Sequence, residues 1–420
     1  MTVNAHRAFD NSASGSYRKN LTPLDHEIEE LRTARDKVRT TLKLAFSDWE
    51  EQVDAGTLFE DSVVASFTAS AKKPNLSPKF RGQGSYSYHT LNQPTHNPPQ
   101  EMDFDDGMFL PTSFISQDGT VHPAVASEGY FRLVEEALGS LCTQERWTLN
   151  PGKTKASCVR ISLNNDRSHL DIALYAIPDD QYQVLVEKAI IASRNDYMAD
   201  EAAGVRLSDA IYETIDPDQI MLAHRDDGWK VSDPRKLENW FAEAVQEHGP
   251  QLRRVARYLK GWRDQSWEKC RLSSIALMDC AVRFFDESKE DFVGRDDLAM
   301  LAMANILPSY LREEIRNPVV DGRLDEGWDD EPTPCRNEFV TMAEILRDNL
   351  AGAIKAKTKE EASKQLTSIF GVHFPDDSAL IEVDSTSEAP AIVSSGVLGS
   401  LGSSNDAKTA VKIDGDDRYG

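Results

Sequence analysis

Three acidic residues on two short apolar runs could do metal chemistry. In Met102-Asp-Phe-Asp-Asp-Gly-Met-Phe109, the carboxylates of Asp103 and Asp105 alternate with Met102 and Phe104. A period of two marks a strand, and residues i and i+2 of a strand project from one face. The two Cα atoms are then about 6–7 Å apart. That spacing can bracket one or two Mg²⁺ ions, because paired catalytic ions sit about 3.5–4 Å apart. A solvated acidic face is the alternative. Against it, the run is apolar enough to be buried, where unpaired like charges are costly. In the run Ser168 to Pro178, Leu170, Ile172, Leu174 and Ala176 alternate with Asp171, Ala173, Tyr175 and Ile177. This reads as a buried strand carrying one acid. Taken alone Asp171 is equally a salt-bridged core residue; taken with Asp103 and Asp105 it is a third metal ligand.

Basic and anion-binding groups accompany these acids. In Gly82-Gln-Gly-Ser85, the glycines let the backbone approach a ligand closely, and the Ser85 hydroxyl and successive amides can cradle a phosphate. An ordinary tight turn has the same composition. The Pro- and Asn-rich loop from Asn92 to Gln100 is expected near the substrate. Arg160 alternates with Cys158 and Ser162 on a strand-like segment that follows Lys153 and Lys155. It either meets a triphosphate or neutralises the acids. Arg253, Arg257 and Lys260 form a ridge at i, i+4 and i+7, which is either a solvated basic face or a phosphate clamp.

A Gly-Ser turn, then D-x-D, then a single Asp on a later strand resembles the polymerase-β-like nucleotidyltransferases. The fuller text, Gly84-Ser85 with Gln100 to Gly107 and His169 to Pro178, is similar to the bacterial cGAS/DncV-like branch over about Asp25 to Phe374. That resemblance implies an α+β fold: a nucleotidyltransferase core with a mixed sheet, a long N-terminal spine helix, and a C-terminal helical (OAS-like) lobe. It implies that Asp103, Asp105 and Asp171 are catalytic and hold two Mg²⁺ ions. Gly84 and Ser85 would position the β- and γ-phosphates, with Gln83 and Tyr86 in the same donor-nucleotide loop. Ser232, Lys260 and Ser274 match nucleotide contacts, and Asp321 a base contact. The implied reaction is nucleotidyl transfer from ATP and GTP to 3′,3′-cyclic GMP-AMP in anti-phage defence. Another cyclic di- or trinucleotide, and an inactive nucleotide-binding scaffold, are the alternatives. The resemblance also implies that such a synthase can be conjugated through its C-terminus by an E1/E2-like partner, which would make Gly420 the site of attachment.

The composition narrows the partners. The chain has 420 residues, a net charge of −23, 40% hydrophobic and 28% charged residues. A sequence-independent grip on nucleic acid needs a basic surface, so no nucleic-acid substrate is expected. The five cysteines are scattered and odd in number, which fits reduced thiols in a cytoplasm and not a structural zinc site. No apolar run approaches the ~18–20 residues of a membrane span, and the N-terminus lacks the apolar core of a signal peptide.

The elements that must position these residues follow in order. Residues 1–21 are polar and expected to be flexible. A core domain spans 22–228. It starts with a helix from Pro23 to near Val53, on which Leu24, Ile28, Leu31, Val38, Leu42, Ala45 and Trp49 recur at helical spacing. Thr57 to Thr68 leans helical, and Ala71 to Ser77 is a basic connection. Tyr130 to Leu141 is helical; Val184 to Tyr197 and Ala210 to Ile220 are mixed surface segments. A helical lobe spans 229–375, opening at Ser232-Asp233-Pro234, with either Ser273 or Ser274 as a later N-cap. Residues 376–420 have the Ser, Gly and Asp content of a flexible tail.

Overall fold

The computed structural model describes residues 2–11, 15–47, 77–112, 123–150, 155–164, 167–186, 212 and 215–384. The expectations for 49–53, 57–68, 71–76, Lys153, 187–197, 210–211, and the segment 385–420 with Gly420 fall outside them. The chain forms two compact units, one of Pro23–Glu243 and one of Met1–Thr22 with Ala244–Gly420.

The first 21 residues are not the loose end their polarity suggested. They form β1 (Thr2–Asn4), α1 (His6–Phe9) and α2 (Tyr17–Leu21). Phe9, Tyr17 and Leu21 are fully buried. A few well-placed aromatic and aliphatic side chains anchor a polar segment, because full burial of one such side chain contributes about 1.5–3 kcal/mol.

The core unit opens with α3 (Asp25–Ser47). Its start is fixed by Glu27, whose Oε2 accepts the Leu24 N–H at 2.8 Å, one half of a capping box. The helix therefore begins after Pro23 and Leu24, and Leu24 is exposed, not part of the apolar stripe. Leu31, Ala34, Val38, Leu42 and Phe46 make that stripe and are buried. Next come β2 (Lys79–Gln83), the single turn α4 (Gly84–Ser87), β3 (Met102–Pro111) and α5 (Pro123–Glu145). The strands β4 (Thr148–Asn150), β5 (Cys158–Ser162), β6 (Ser168–Ile177), β7 (Met221–His224) and β8 (Gly228–Val231) complete one sheet. Its order is β2-β3-β6-β5-β4, with β7 joining β6 to β8. The β3–β6 pair is parallel and the others are antiparallel, so the sheet is mixed, as the family resemblance implied.

The two faces of the sheet have separate jobs. Phe104, Met108, Leu110, Leu170, Ile172 and Leu174 pack with the stripe of α3 and with Tyr130, Phe131 and Val134 of α5. On the other face, Phe109, Tyr175 and Ile177 pack with Tyr182, Leu185 and Tyr212. Toward the start of β3 and β6 that second face carries the acids.

The unit ends on the first turns of α6 (Pro234–His248). Asp233, not Ser232, accepts at its start, taking the Arg235 N–H at 2.9 Å. Trp229 packs with the core sheet, so the division at 243/244 falls later than the expected 229.

The second unit adds α7 (Pro250–Ser266), α8 (Ser274–Glu287), α9 (Asp296–Arg312), α10 (Arg336–Ile354) and α11 (Lys359–Phe370). It closes with β9 (Glu382–Asp384), antiparallel to β1. The expected tail from 376 thus carries ordered structure to Asp384. Buried Asp296 accepts from Gln251, Arg254 and Tyr258. Its neighbour Asp297 accepts the Ala5 N–H at 2.9 Å and so ties down the N-terminal strand.

Candidate active site

The register of four strands gathers the predicted residues into one row. Gln83 pairs with Asp105, Asp105 with Asp171, and Asp171 with Arg160. Asp103 pairs with His169 one pleat repeat away. Because β3 and β6 are parallel and in step over ten residue pairs, acids far apart in sequence share one face. Asp103 and Asp171 join His169 in a group whose ligand atoms lie within 4.8 Å of one another.

Asp105 stands against the Gly84 backbone. Gly84 has φ +71°, and a Cβ there would fall 1.8 Å from Asp105 Oδ2. Glycine is needed on both counts. Gly82 has open space around its would-be Cβ, so the close approach belongs to Gly84 alone. The pair is not a free turn but the junction of β2 and α4. The Ser85 hydroxyl donates to the Asp103 carbonyl at 3.5 Å, a long bond that keeps it beside β3.

The electrostatics are those of three acids with too few cations. Burial, then Asp103 and Asp171, push the Asp105 carboxyl up to about 8. Burial works the same way on Asp171, but the Arg160 guanidinium overrides it and holds Asp171 below its usual range. Arg160 grips both oxygens, Nε to Oδ1 at 2.7 Å and one terminal nitrogen to Oδ2 at 2.6 Å. Lys155 lies 3.4 Å from Oδ2. This geometry meets the neutralising reading of Arg160.

Other expected residues are placed as follows. The Gln83 side-chain oxygen accepts from Tyr175 Oη at 3.1 Å. Tyr86 lies against Phe104, ring centroids 4.6 Å apart, and its hydroxyl accepts from Arg32 Nε. Phe104 belongs to the helix-covered face, so Tyr86 packs there and is not gathered with the acids. The Asn92–Gln100 loop closes on its own last residue: Gln100 Oε1 accepts the Thr95 and His96 N–H groups, both at 3.0 Å. Ser232 sits just ahead of α6, half-buried. Lys260, Ser274 and Asp321 belong to the other compact unit. Lys260 and Arg257 are buried there at 5% and 7% exposure, so they are not a solvated ridge. Arg257 donates to Thr22 Oγ1, and burial pushes its guanidinium down to about 10. Ser273 is the N-cap of α8, accepting the Ala276 N–H at 3.1 Å, while Ser274 accepts from Arg263 at 3.0 Å. Asp321 is exposed in a turn.

The sequence reading missed two features. His169 occupies the acid face, two residues before Asp171; strand periodicity was the available signal. Asp106, the third acid of the run, points the other way and takes a two-point grip from Arg39 of α3, at 2.6 and 2.7 Å.

Comparison with known proteins identifies the family. Residues 78–175 match the nucleotidyltransferase-domain model described as cyclic GMP-AMP synthase DncV-like. Residues 249–383 match the model of the cyclic GMP-AMP synthase C-terminal domain. The cyclic GMP-AMP synthase of Vibrio cholerae is 30% identical over 362 residues, 80% of this chain and 76% of that one. A cyclic GMP-AMP synthase of Escherichia coli is 30% identical over 340 residues, 75% of this chain and 72% of its own. The structure of Vibrio cholerae DncV with a linear intermediate, pppA(3′,5′)pG, has a TM-score of 0.74 at 26% identity. That match covers 92% of this chain and all of the other. With a polymerase-β-like core and these relatives, the chain belongs to the DncV-like family and is a nucleotidyltransferase of the cyclic GMP-AMP synthase type.

Proposed function

We propose that this enzyme is a cyclic dinucleotide synthase that joins ATP and GTP into 3′,3′-cyclic GMP-AMP, releasing pyrophosphate, and that it uses two Mg²⁺ ions. The observation that carries the reading is the in-register pairing of Asp105 with Asp171 beside Gly84. Divalent cations fit the residues present. The set is mainly hard carboxylate oxygen, which suits Mg²⁺, and burial, then the neighbouring Asp103 and Asp171, disfavour the Asp105 charge, a cost that a bound cation would relieve. Asp103, Asp105 and Asp171 would hold the ions. When bound, such ions lower the pKa of an attacking hydroxyl and stabilise charge on the transferred and departing phosphates.

The chain's own residues do the positioning. Gly84 lets the backbone come within reach of a triphosphate, and Ser85 stands beside it as a hydroxyl donor. Arg160 keeps Asp171 ionised. Gln83, Ser232, Lys260, Ser274 and Asp321 are the proposed nucleotide contacts, on the strength of their match to the family pattern. Tyr86 stays in that set only if its ring leaves Phe104. A cytoplasmic role in anti-phage defence, and conjugation at Gly420, rest on the resemblance. Among the described residues no helix is long and apolar enough to cross a membrane.

The test is product analysis. Wild type with ATP, GTP and Mg²⁺ should give a cyclic dinucleotide with the mass of cyclic GMP-AMP. Asp103→Ala with Asp105→Ala, and Asp171→Ala, should each give none. Equal turnover in the variants would sink the mechanism, and a different cyclic mass from wild type would replace the product.

A further inference from the structure

His169 is more than 90% buried, with a carboxylate against each ring nitrogen. Nδ1 lies 2.7 Å from Glu101 Oε2. On the other side Nε2 lies 2.9 Å from Asp103 Oδ1. That contact lacks hydrogen-bond alignment, and both atoms are buried with no hydrogen-bond partner. Two neighbouring ligands of an octahedral ion, each at about 2.1 Å, stand about 3 Å apart, which is the separation seen here. A metal-bound histidine almost always passes its other ring N–H to a carboxylate, the position Glu101 holds. Asp171 supplies the third donor of the group. A carboxylate offers about four lone-pair sites, so the grip of Arg160 does not exhaust it.

We infer that His169 is itself a metal ligand, binding through Nε2 together with Asp103 and Asp171 and oriented by Glu101, so that one of the two ion positions is a mixed nitrogen–oxygen site. This rests on the proposed metal-dependent function and extends it. A nitrogen donor turns such a site from Mg²⁺ toward first-row transition ions, and Mn²⁺ is the natural probe.

The experiment is pulsed electron paramagnetic resonance of the full-length protein loaded with Mn²⁺, without nucleotide. Wild type should show ¹⁴N modulation of an imidazole nitrogen. The signal should convert to its ¹⁵N form when the histidines are ¹⁵N-labelled, a readout that needs no substitution. It should vanish in His169→Gln, and Glu101→Ala should weaken Mn²⁺ binding by about 10–100-fold. Bound Mn²⁺ without nitrogen modulation in wild type, or modulation that survives His169→Gln, overturns the assignment. Either result leaves the nucleotidyl-transfer reading intact if product still forms. Absence of any cyclic product, with the nitrogen signal present, sinks that reading and spares the ligand assignment.

Discussion

Gly84 and Asp105 occupy the same space in turn: the carboxylate of one fills the volume that any side chain on the other would need. Gly84→Ala should therefore be damaging twice. It places a Cβ on a backbone of positive φ, at about 1–2 kcal/mol, and it drives Asp105 off its position. Thermal melting should show a lower Tm, and turnover should fall by more than the loss of folded protein explains. Gly82→Ala, with open space around it, should leave both nearly unchanged. Equal effects at the two glycines would mean that Asp105 does not depend on this contact.

Arg160 and Asp171 form a largely buried two-point pair. Removing one partner of a buried pair strands the other, at up to about 3–5 kcal/mol. Arg160→Met should lower stability in urea unfolding, and adding Asp171→Asn should recover much of it by removing the stranded charge. A double variant no more stable than the single one would show that Arg160 contributes through packing instead.

The carboxyl of Asp105, raised to about 8, should make the divalent-free protein less stable as pH rises. An unfolded aspartate titrates near about 3.9, so between about pH 4 and 8 the folded state carries the extra proton. Stability then falls with pH across that window and levels off above it. Asp171 has the opposite sign: its contribution is present above the unfolded value and is lost as acid protonates it. Melting curves at pH 5 to 9 should show the decline in wild type and a flatter line in Asp105→Asn. Adding Mg²⁺ at pH 8 should restore Tm in wild type and not in the variant.

The D-x-D and Asp171 strands were legible because a two-residue period needs no tertiary information. Asp103 and Asp105 sharing a face follows from the sequence alone. Their meeting with Asp171 follows only from strand order, which no local pattern encodes, and came from the family resemblance. Asp106 was opaque for a related reason: its partner Arg39 lies 67 residues away on α3. His169 was within reach, since it shares the face of Asp171 by the same alternation. The N-terminal 21 residues misled because polarity averages over a segment, whereas Phe9, Tyr17 and Leu21 anchor it individually. Helical spacing places Arg257 and Lys260 on one side without saying whether that side meets water, so the choice between a solvated face and a buried one needed the structure.

The ten-rung match between β3 and β6 makes the chemistry a matter of counting. Sliding either strand by a single residue would send Asp171 through the sheet to the side of α3 and bring Leu170 or Ile172 level with Asp105. Length changes in connections outside the two strands leave that alignment untouched. One residue gained or lost inside either strand abolishes it, so tolerance to insertion should drop abruptly at Met102 and again at Ser168.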